Sequence, residues 1–310
     1  MLKHYISIAR PSHWFKNVFM LPGAFMAWLT ANTPRWYVAF LWLGLTLLAT
    51  CLISSANYTI NELLDARDDR RHPDKQNRPA VQGHISNTGA WIQWLVLASA
   101  GLALVWPISR ILFAVEVLFL VMGLLYNLPP IRLKDQPFLD VLSESVNNPI
   151  RFVLGWYGIG CVLIPPVSLI FAYWMLGAFF MAIKRFAELR HINDAETAAS
   201  YRKSFSYYTE ERLFISIIFY ATAAALLGGI FLMRYRMELI LSVPFIAGFM
   251  AYYMRLGFLT DSPVQHPESL YRQTKFVVYA FLTTAVIVLC MVVHMPWVDK
   301  VFQTTVPGGF

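Results

Sequence analysis

Three oxygen-bearing side chains are spaced four residues apart near position 65. Asn61, Asp65 and Asp69 follow directly after an apolar run long enough to cross a bilayer. On an α-helix this spacing places the three side chains along one face, about 6 Å apart from one to the next. Amide and carboxylate oxygens are ligands that Mg²⁺ accepts while it bridges diphosphate oxygens. The column therefore indicates a magnesium and diphosphate site at a membrane surface, whereas a solvated, salt-bridged helix end is the simpler alternative.

Positive charges follow this column at positions suited to binding phosphate. Lys75 and Arg78 carry charges complementary to phosphate oxygens once a metal is in place. Lys184 and Glu188 lie one helical turn apart, which suits a phosphate held by the cation and oriented by the acid. Basic residues at a cytosolic helix end are also what membrane topology alone produces. The candidate residues of this second cluster are Lys184, Arg185, Glu188, Arg202, Lys203 and Tyr207.

Ionisable side chains also interrupt an apolar stretch farther along the chain. Asp140, Glu144 and Arg151 recur close to one helical face, so we expect them to point into the bundle and away from lipid. This face indicates a polar cavity, and a structural ion pair within the bundle is an equal alternative. Other candidates for the same cavity are Tyr126 and Lys134 before this stretch, and Lys16 and Asn17 at the start of the first apolar run.

The composition identifies the elements that must position these residues. The chain has 310 residues, of which 57% are hydrophobic and 14% charged, with a mean hydropathy of +0.52. These values exclude an ordinary soluble domain and predict an all-α, polytopic membrane helix bundle, with residues 1–310 forming a single domain. Nine runs are long enough to span a bilayer, at 17–34, 37–59, 90–108, 111–127, 138–162, 166–183, 213–233, 238–254 and 276–295.

The distribution of Lys and Arg predicts the orientation of the bundle. With the N-terminus inside, the inner segments contain nineteen of these residues and the outer segments only five. The positive-inside rule then places the N-terminus in the cytosol and the C-terminus on the outer side of a plasma (inner) membrane. The long polar stretches share the cytosolic side, so we expect the active-site cavity there. The same asymmetry explains the net charge of +7 without a nucleic-acid partner.

Taken together, these motifs resemble the UbiA superfamily of intramembrane prenyltransferases, which are nine-helix proteins with an NDxxDxxxD-type motif after the second span. Asn61, Asp65 and Asp69 match the motif, and Glu62 takes the place of its second residue, so the resemblance implies Mg²⁺ ligation by all four. Within the superfamily the chain looks most like the decaprenyl-phosphate phosphoribosyltransferase branch. The stretches that carry this resemblance begin at Arg10, Asp69, Lys184 and Arg202, the second including His72 and Pro73.

This resemblance implies a reaction and a role for each cluster. The expected reaction transfers 5-phosphoribose from phosphoribosyl diphosphate to a polyprenyl (decaprenyl-like) phosphate, with Mg²⁺ as cofactor and diphosphate released. Lys75, Arg78 and Lys134 are candidates for binding the diphosphate. Asp140 and Glu188 are expected to orient ribose hydroxyls or neighbouring cations. The candidates for the 5-phosphate or the lipid phosphate, undivided between the two, are Lys184, Arg185, Arg202 and Lys203.

Two alternatives stay open at this point. A conventional UbiA-type enzyme would move a prenyl group from a prenyl diphosphate to an aromatic or glycerol-phosphate acceptor. Such enzymes usually carry a second aspartate-rich motif after the sixth span, where this chain has Lys184, Arg185 and Glu188. A polytopic transporter would instead show internal repeats and polar residues through the full bilayer depth, and no clear repeat is found. The sequence does not decide between a monomer and a homo-oligomer.

Overall fold

The computed structural model describes residues 2–30, 32–70, 75–192, 202–265 and 267–302, and within these ranges the chain is helical and contains no β-strand. The predicted all-α fold is therefore confirmed for the described residues. The α-helices are α1 (Leu2–Ala9), α2 (Leu21–Trp28), α3 (Trp36–Asp69), α4 (Asn87–Val105), α5 (Arg110–Asn127), α6 (Leu139–Ser145), α7 (Asn147–Gly158), α8 (Val167–Ile192), α9 (Glu210–Tyr235), α10 (Val243–Gly257), α11 (Thr274–Val292) and α12 (Pro296–Phe302). Short 3₁₀ segments connect several of them, at Pro11–Met20, Leu133–Asp135, Lys203–Ser206, Met237–Ser242, Pro263–Gln265 and Pro267–Arg272.

Seven of the nine predicted spans are long helices. In the described residues, α3, α4, α5, α8, α9, the segment Met237–Gly257 and α11 are long and apolar enough to cross a membrane. The predicted spans at 17–34 and 138–162 are broken instead. The first consists of the 3₁₀ segment Pro11–Met20 followed by α2, and the second of α6 followed by α7.

Both breaks have local causes. Pro22 lies in the first turn of α2. Backbone N–H groups in a first turn have no acceptor within the helix, so a proline, which lacks this group, is tolerated there. Pro149 lies in the first turn of α7 in the same way. At this second break the Asn147 side chain donates to the carbonyl of Glu144 at 3.0 Å, and Ser145 Oγ donates to the carbonyl of Leu142 at 3.1 Å. The Asn147 side chain thus bonds a carbonyl at the break, whereas the Leu142 carbonyl also keeps its regular helical bond from the Val146 N–H.

Close helix packing holds the two broken segments against each other. Gly23 of α2 lies against the backbone of Phe152 in α7, and Gly155 of α7 lies against the backbone of Met20. A Cβ atom at either glycine would overlap these backbone atoms. Small residues allow such close approach between helices in a membrane. The pair α2 and α7 therefore forms one tightly packed wall beside α3.

Apolar side chains cover the outside of the bundle. Phe40, Leu95, Leu226 and Phe281 are among the exposed large hydrophobic residues, and they lie on α3, α4, α9 and α11 respectively. Water would disfavour such a surface, whereas lipid tails accept it. The charged residues gather instead where the C-terminal ends of α3, α5 and α8 meet, which we call the polar end of the bundle.

Candidate active site

The predicted oxygen column lies at the polar end of α3. Asn61 Nδ2 donates to Asp65 Oδ2 at 3.1 Å and to Asn127 Oδ1 at 2.7 Å. Asn127 is the last residue of α5, so this contact joins the ends of two helices. The amide of Asn61 is thereby fixed on the same helical face as Asp65, as the spacing predicts.

Each aspartate of the column faces two cations. Asp65 Oδ1 pairs with Lys134 Nζ and with Arg132 Nη2, the latter at 3.3 Å. Asp69 pairs with Arg78 Nη1 at 2.5 Å and with Lys75 Nζ at 3.8 Å. Burial lowers the pKa of Lys134, and the Asp65 carboxylate opposes that shift. A buried ammonium of this kind gains from any anion that reaches it.

The donor set fits a magnesium ion that is shared with a phosphorylated substrate. Among the described residues, no three His, Cys, Asp or Glu side chains form a group that could hold a metal alone. Mg²⁺ seldom needs such a cage, because it binds through one or two carboxylates and completes its shell with water and phosphate oxygens. Asp65, Asp69 and the side-chain oxygen of Asn61 could provide those ligands, and the four paired cations carry charge of the sign that phosphates need.

Glu62 faces a different partner from the rest of the motif. Its Oε2 accepts from Arg10 Nη2 at 2.9 Å and from Arg10 Nε at 3.3 Å, and its side chain is almost completely buried. Neighbouring residues on a helix point about 100° apart, which turns Glu62 towards the N-terminal segment. The other oxygen, Oε1, is buried without a hydrogen-bond partner in the part of the chain that the structure describes.

Asp140 is the centre of a buried charge cluster that holds the second basic region in place. It is completely buried and accepts from Arg185 Nε at 3.0 Å, from Ser204 Oγ at 3.3 Å and from the Tyr208 hydroxyl. Burial and the adjacent Asp140 carboxylate raise the pKa of Tyr208, so its hydroxyl stays protonated as a donor. Asp140 therefore orients neighbouring side chains, as one of its predicted roles requires.

Arg185 is bound by three carboxylates. Besides Asp140, its Nη2 contacts Glu144 Oε2 at 2.8 Å and its Nη1 contacts Glu188 Oε2 at 3.1 Å. A guanidinium with only 2% exposure requires such partners, since an unpaired buried charge costs several kcal/mol. Arg185 consequently holds the three carboxylates apart, and the Glu188 side chain remains partly exposed.

A chain of hydrogen bonds connects this cluster to the aspartate column. Arg202 Nη2 donates to the Tyr126 hydroxyl at 2.6 Å, and Arg202 Nε donates to the Lys134 carbonyl at 3.3 Å. Tyr126 in turn donates to Glu144 Oε2 at 3.0 Å. Lys134, which pairs with Asp65, therefore belongs to the same connected site as Arg185.

Three cations of the site have no carboxylate ion pair in the described ranges. Arg151 is buried, and its Nε donates to Asn17 Oδ1 at 2.8 Å while its guanidinium lies 4.9 Å from the centre of the Phe119 ring. Lys16 Nζ lies 5.9 Å from the centre of the Tyr58 ring. Lys184 makes no hydrogen bond within the described residues, although Glu144 and Lys16 act on it electrostatically. These cations lie on α7, α8 and the first broken segment.

The structure places two predicted residues apart from this site. Lys203 is exposed in the 3₁₀ segment Lys203–Ser206. Tyr207 is 45% exposed, and the Arg212 guanidinium covers its ring at 4.2 Å, whereas Tyr208 turns inward. His72 and Pro73 lie outside the described residues.

Sequence reasoning did not assign a site role to several residues that the structure brings in. The ones with direct contacts are Arg10, Asn127, Arg132, Ser204 and Tyr208. Asn127 gave a usable signal, because an amide that ends an apolar run needs a partner at membrane depth. Arg10 gave none, since the contact between Arg10 and Glu62 joins segments 52 positions apart.

The described helices bring buried carboxylates and cations together at one end of a membrane bundle, an arrangement suited to binding phosphorylated groups. The sequence model of the UbiA prenyltransferase family matches residues 18–268, so the chain belongs to that family. The resemblance inferred from the motifs is thereby confirmed, and the protein is an integral membrane transferase.

Relatives and solved structures agree with this assignment. A decaprenyl-phosphate phosphoribosyltransferase of Mycobacterium tuberculosis is 32% identical over 226 residues, covering 73% of this chain and 72% of the relative. One of the same name from Mycolicibacterium smegmatis is 29% identical over 73% of this chain and 69% of its own. A UbiA homologue from Archaeoglobus fulgidus, solved with GPP and Mg²⁺, superposes with a TM-score of 0.68 at 24% identity, covering 92% of this chain and 99% of that one. This superposition shows the shared fold.

Proposed function

We propose that the protein transfers 5-phosphoribose from phosphoribosyl diphosphate to a polyprenyl phosphate and releases diphosphate, with Mg²⁺ as cofactor. The observation that carries this proposal is the wall opposite the aspartate column. Where family members usually have a second acidic motif, this chain has Lys184 and Arg185, and Arg202 joins them at the same cavity. Such a wall suits substrates with phosphates beyond the diphosphate. The names of the mycobacterial relatives support the same substrates.

The aspartate side of the cavity binds the leaving group in this proposal. Asn61, Asp65 and Asp69 hold the metal, which when bound neutralises charge that develops on the departing diphosphate. When the donor binds, Lys134 and Arg132 exchange their contacts with Asp65 for contacts with the phosphate oxygens. Lys75 and Arg78 exchange their contacts with Asp69 in the same way. The exchange of a carboxylate partner for a phosphate keeps each cation neutralised throughout.

The acceptor phosphate binds to the cations that have no carboxylate ion pair. Lys184 lies on α8, Arg151 on α7 and Lys16 on the 3₁₀ segment Pro11–Met20, and we place the entry of the lipid headgroup beside them. Arg151 is buried, and a buried cation without a carboxylate partner in the described residues favours an anion at that position. This divides the basic residues between the two substrates, with the diphosphate at the aspartates and the lipid phosphate opposite them.

The chemistry needs no strong general base. An ionised oxygen of the lipid phosphate forms the new bond to the anomeric carbon while the bond from that carbon to the diphosphate breaks. The carbon acquires oxocarbenium character, as in other glycosyl transfers. Glu188, which keeps partial exposure, accepts from a ribose hydroxyl, and Asp140 positions Arg185 and Arg202 without touching the sugar. The water-soluble donor approaches from the cytosolic side, on which we place the polar end.

The second candidate is a conventional prenyl transfer to an aromatic or glycerol-phosphate acceptor. It is favoured by the superposition on the Archaeoglobus fulgidus homologue solved with GPP and Mg²⁺. Both reactions release diphosphate, so only the identity of the transferred group separates them.

The test supplies the purified protein with Mg²⁺, polyprenyl phosphate and phosphoribosyl diphosphate labelled in the ribose. We expect a labelled lipid that is sensitive to hydrolysis and that fails to form when the metal is chelated. A parallel reaction contains labelled prenyl diphosphate and an aromatic acceptor. If label enters lipid only in this second reaction, the alternative is correct and the proposal is wrong. The absence of labelled lipid in the first reaction, at every polyprenyl chain length tested, would also refute the proposal.

A further inference from the structure

An open groove lies on the back of the helix that carries the aspartate column. It occupies about 580 Å³ between the last turns of α3, the start of α4 and the loop between them. Its walls include Leu63, Arg67, Arg70, Ile85 and Trp91. Arg67 and Arg70 follow Asp65 by two and five residues, which places them about 200° and 140° around the helix from it. The groove is therefore separate from the active-site cavity.

Two guanidinium groups at the groove lack a counter-ion. Arg67 and Arg70 are exposed, and neither makes a hydrogen bond or an ion pair in the part of the chain that the structure describes. Asp68 lies between them in sequence but is paired with Arg132 at 2.8 Å. Within the described residues, these two cations have no acidic partner and give the groove a net positive charge. A planar guanidinium is well suited to bidentate binding of phosphate oxygens.

Apart from Asn87, the other walls are apolar and continue onto the lipid-facing surface. Leu63 and Ile85 belong to a small hydrophobic cluster that also contains Tyr5 and Ile8 of α1. Trp91 is 39% exposed, and the next outward residues of α4, Ile92 and Leu95, are 58% and 59% exposed. A tryptophan between a cationic region and an apolar one is typical of the headgroup level of a bilayer.

We propose that this groove binds the headgroup phosphate of an anionic phospholipid from the surrounding membrane. The two arginines hold the phosphate, Trp91 lies at the glycerol level, and the acyl chains follow the exposed face of α4. Basic pockets between membrane helices recognise anionic headgroups in this way. A lipid fits better than a soluble phosphate because the apolar wall continues towards the membrane. Since Asp65 and Asp69 lie on the same helical turns, the bound lipid also braces the helix end that carries them.

The test measures how phosphatidylglycerol stabilises the full-length protein. Purified protein in a neutral detergent is titrated with phosphatidylglycerol or with phosphatidylcholine, and thermal unfolding and native mass spectrometry report binding. We expect phosphatidylglycerol, but not phosphatidylcholine, to raise the unfolding temperature and to remain bound. The double variant R67Q/R70Q should need about tenfold to thirtyfold more phosphatidylglycerol for the same stabilisation.

A matched variant controls for the loss of two positive charges. R255Q/K275Q removes an exposed arginine and an exposed lysine that line no part of the groove, and it should respond as the wild type does. A wild-type response in R67Q/R70Q would overturn the proposal, and so would equal stabilisation by inorganic phosphate alone. If R67Q/R70Q does not fold, A66W fills the groove and keeps both charges. Loss of lipid retention in A66W supports the proposal, and retention as in the wild type overturns it.

Discussion

At the scale of single residues, the last turns of α3 carry aspartates that are close in sequence but have different surroundings. Asp65 accepts from Asn61, Arg132 and Lys134, and lies on the face that also carries Asp69. Asp68, on the neighbouring face, pairs only with Arg132 among the described residues, and its side chain is 41% exposed. The helix thus separates a carboxylate suited to metal binding from one suited to a surface ion pair.

This difference predicts opposite effects of the same substitution. Asp65→Asn removes a charged ligand of the proposed metal and should lower the rate of phosphoribosyl transfer about a hundredfold or more. Asp68→Asn removes an exposed ion pair and should change the rate no more than about fivefold. Initial rates over a range of Mg²⁺ concentrations measure both. Equal rates for the two variants would remove the metal role of Asp65.

The spacing of Asn61, Asp65 and Asp69 predicted their shared face because the period of a helix is fixed locally. Their partners were not all predictable. Lys134 lies 69 positions from Asp65, and its approach depends on how α5 and the following 3₁₀ segment return to α3. Sequence alone shows that a cation follows the fourth predicted span, at 111–127, but the tertiary fold decides which acid it meets.

At the scale of elements, the 3₁₀ segment Lys203–Ser206 docks the second basic region onto α6. Ser204 and Tyr208 both donate to Asp140 near the start of α6. The Tyr208 hydroxyl also accepts from the Phe138 backbone N–H at 2.7 Å. This docking holds Arg202 beside Tyr126 and beside Lys134, the partner of Asp65, so it joins the second basic region to the aspartate column.

Two adjacent tyrosines allow this docking to be tested. Tyr208→Phe leaves Asp140 without one buried donor and should destabilise the protein by about 1–3 kcal/mol, with a loss of transfer activity. Tyr207→Phe alters an exposed side chain and should leave both properties within experimental error of the wild type. Thermal unfolding and activity are compared for the two variants. A larger effect at Tyr207 would contradict the docking.

Elements also show where hydropathy is an insufficient guide. Long apolar runs correctly predicted the seven long helices, because length and composition alone define a helix that can cross the bilayer. The broken segments at 11–28 and 139–158 depend on prolines and on polar caps that a hydropathy window averages away. The sequence analysis named Tyr207, whereas Tyr208 is the tyrosine that turns inward. Which of the two is buried depends on the turn formed by Lys203–Ser206, and no periodicity of the sequence specifies the direction of that turn.

At the scale of the whole molecule, the charges and the apolar surface divide the bundle into distinct zones. The site lies at one end, where α3, α5 and α8 finish, and exposed hydrophobic residues cover the sides of the helices. The excess of Lys and Arg in the loops predicts that this end faces the cytosol. In the proposed reaction, the water-soluble donor and the membrane-bound acceptor then reach the site from different phases.

The orientation of the bundle can be measured with two cysteine-substitution variants, one at each end. Asn77 and Asn32 are both exposed loop residues, and Asn77 belongs to the polar end whereas Asn32 lies between α2 and α3 at the opposite end. The three native cysteines, Cys51, Cys161 and Cys290, are buried, so the background of thiol labelling should be low. A membrane-impermeant maleimide added to intact cells should label Asn32→Cys and spare Asn77→Cys. Permeabilised cells should label both, and the reverse pattern in intact cells would place the polar end outside and exclude a cytosolic donor.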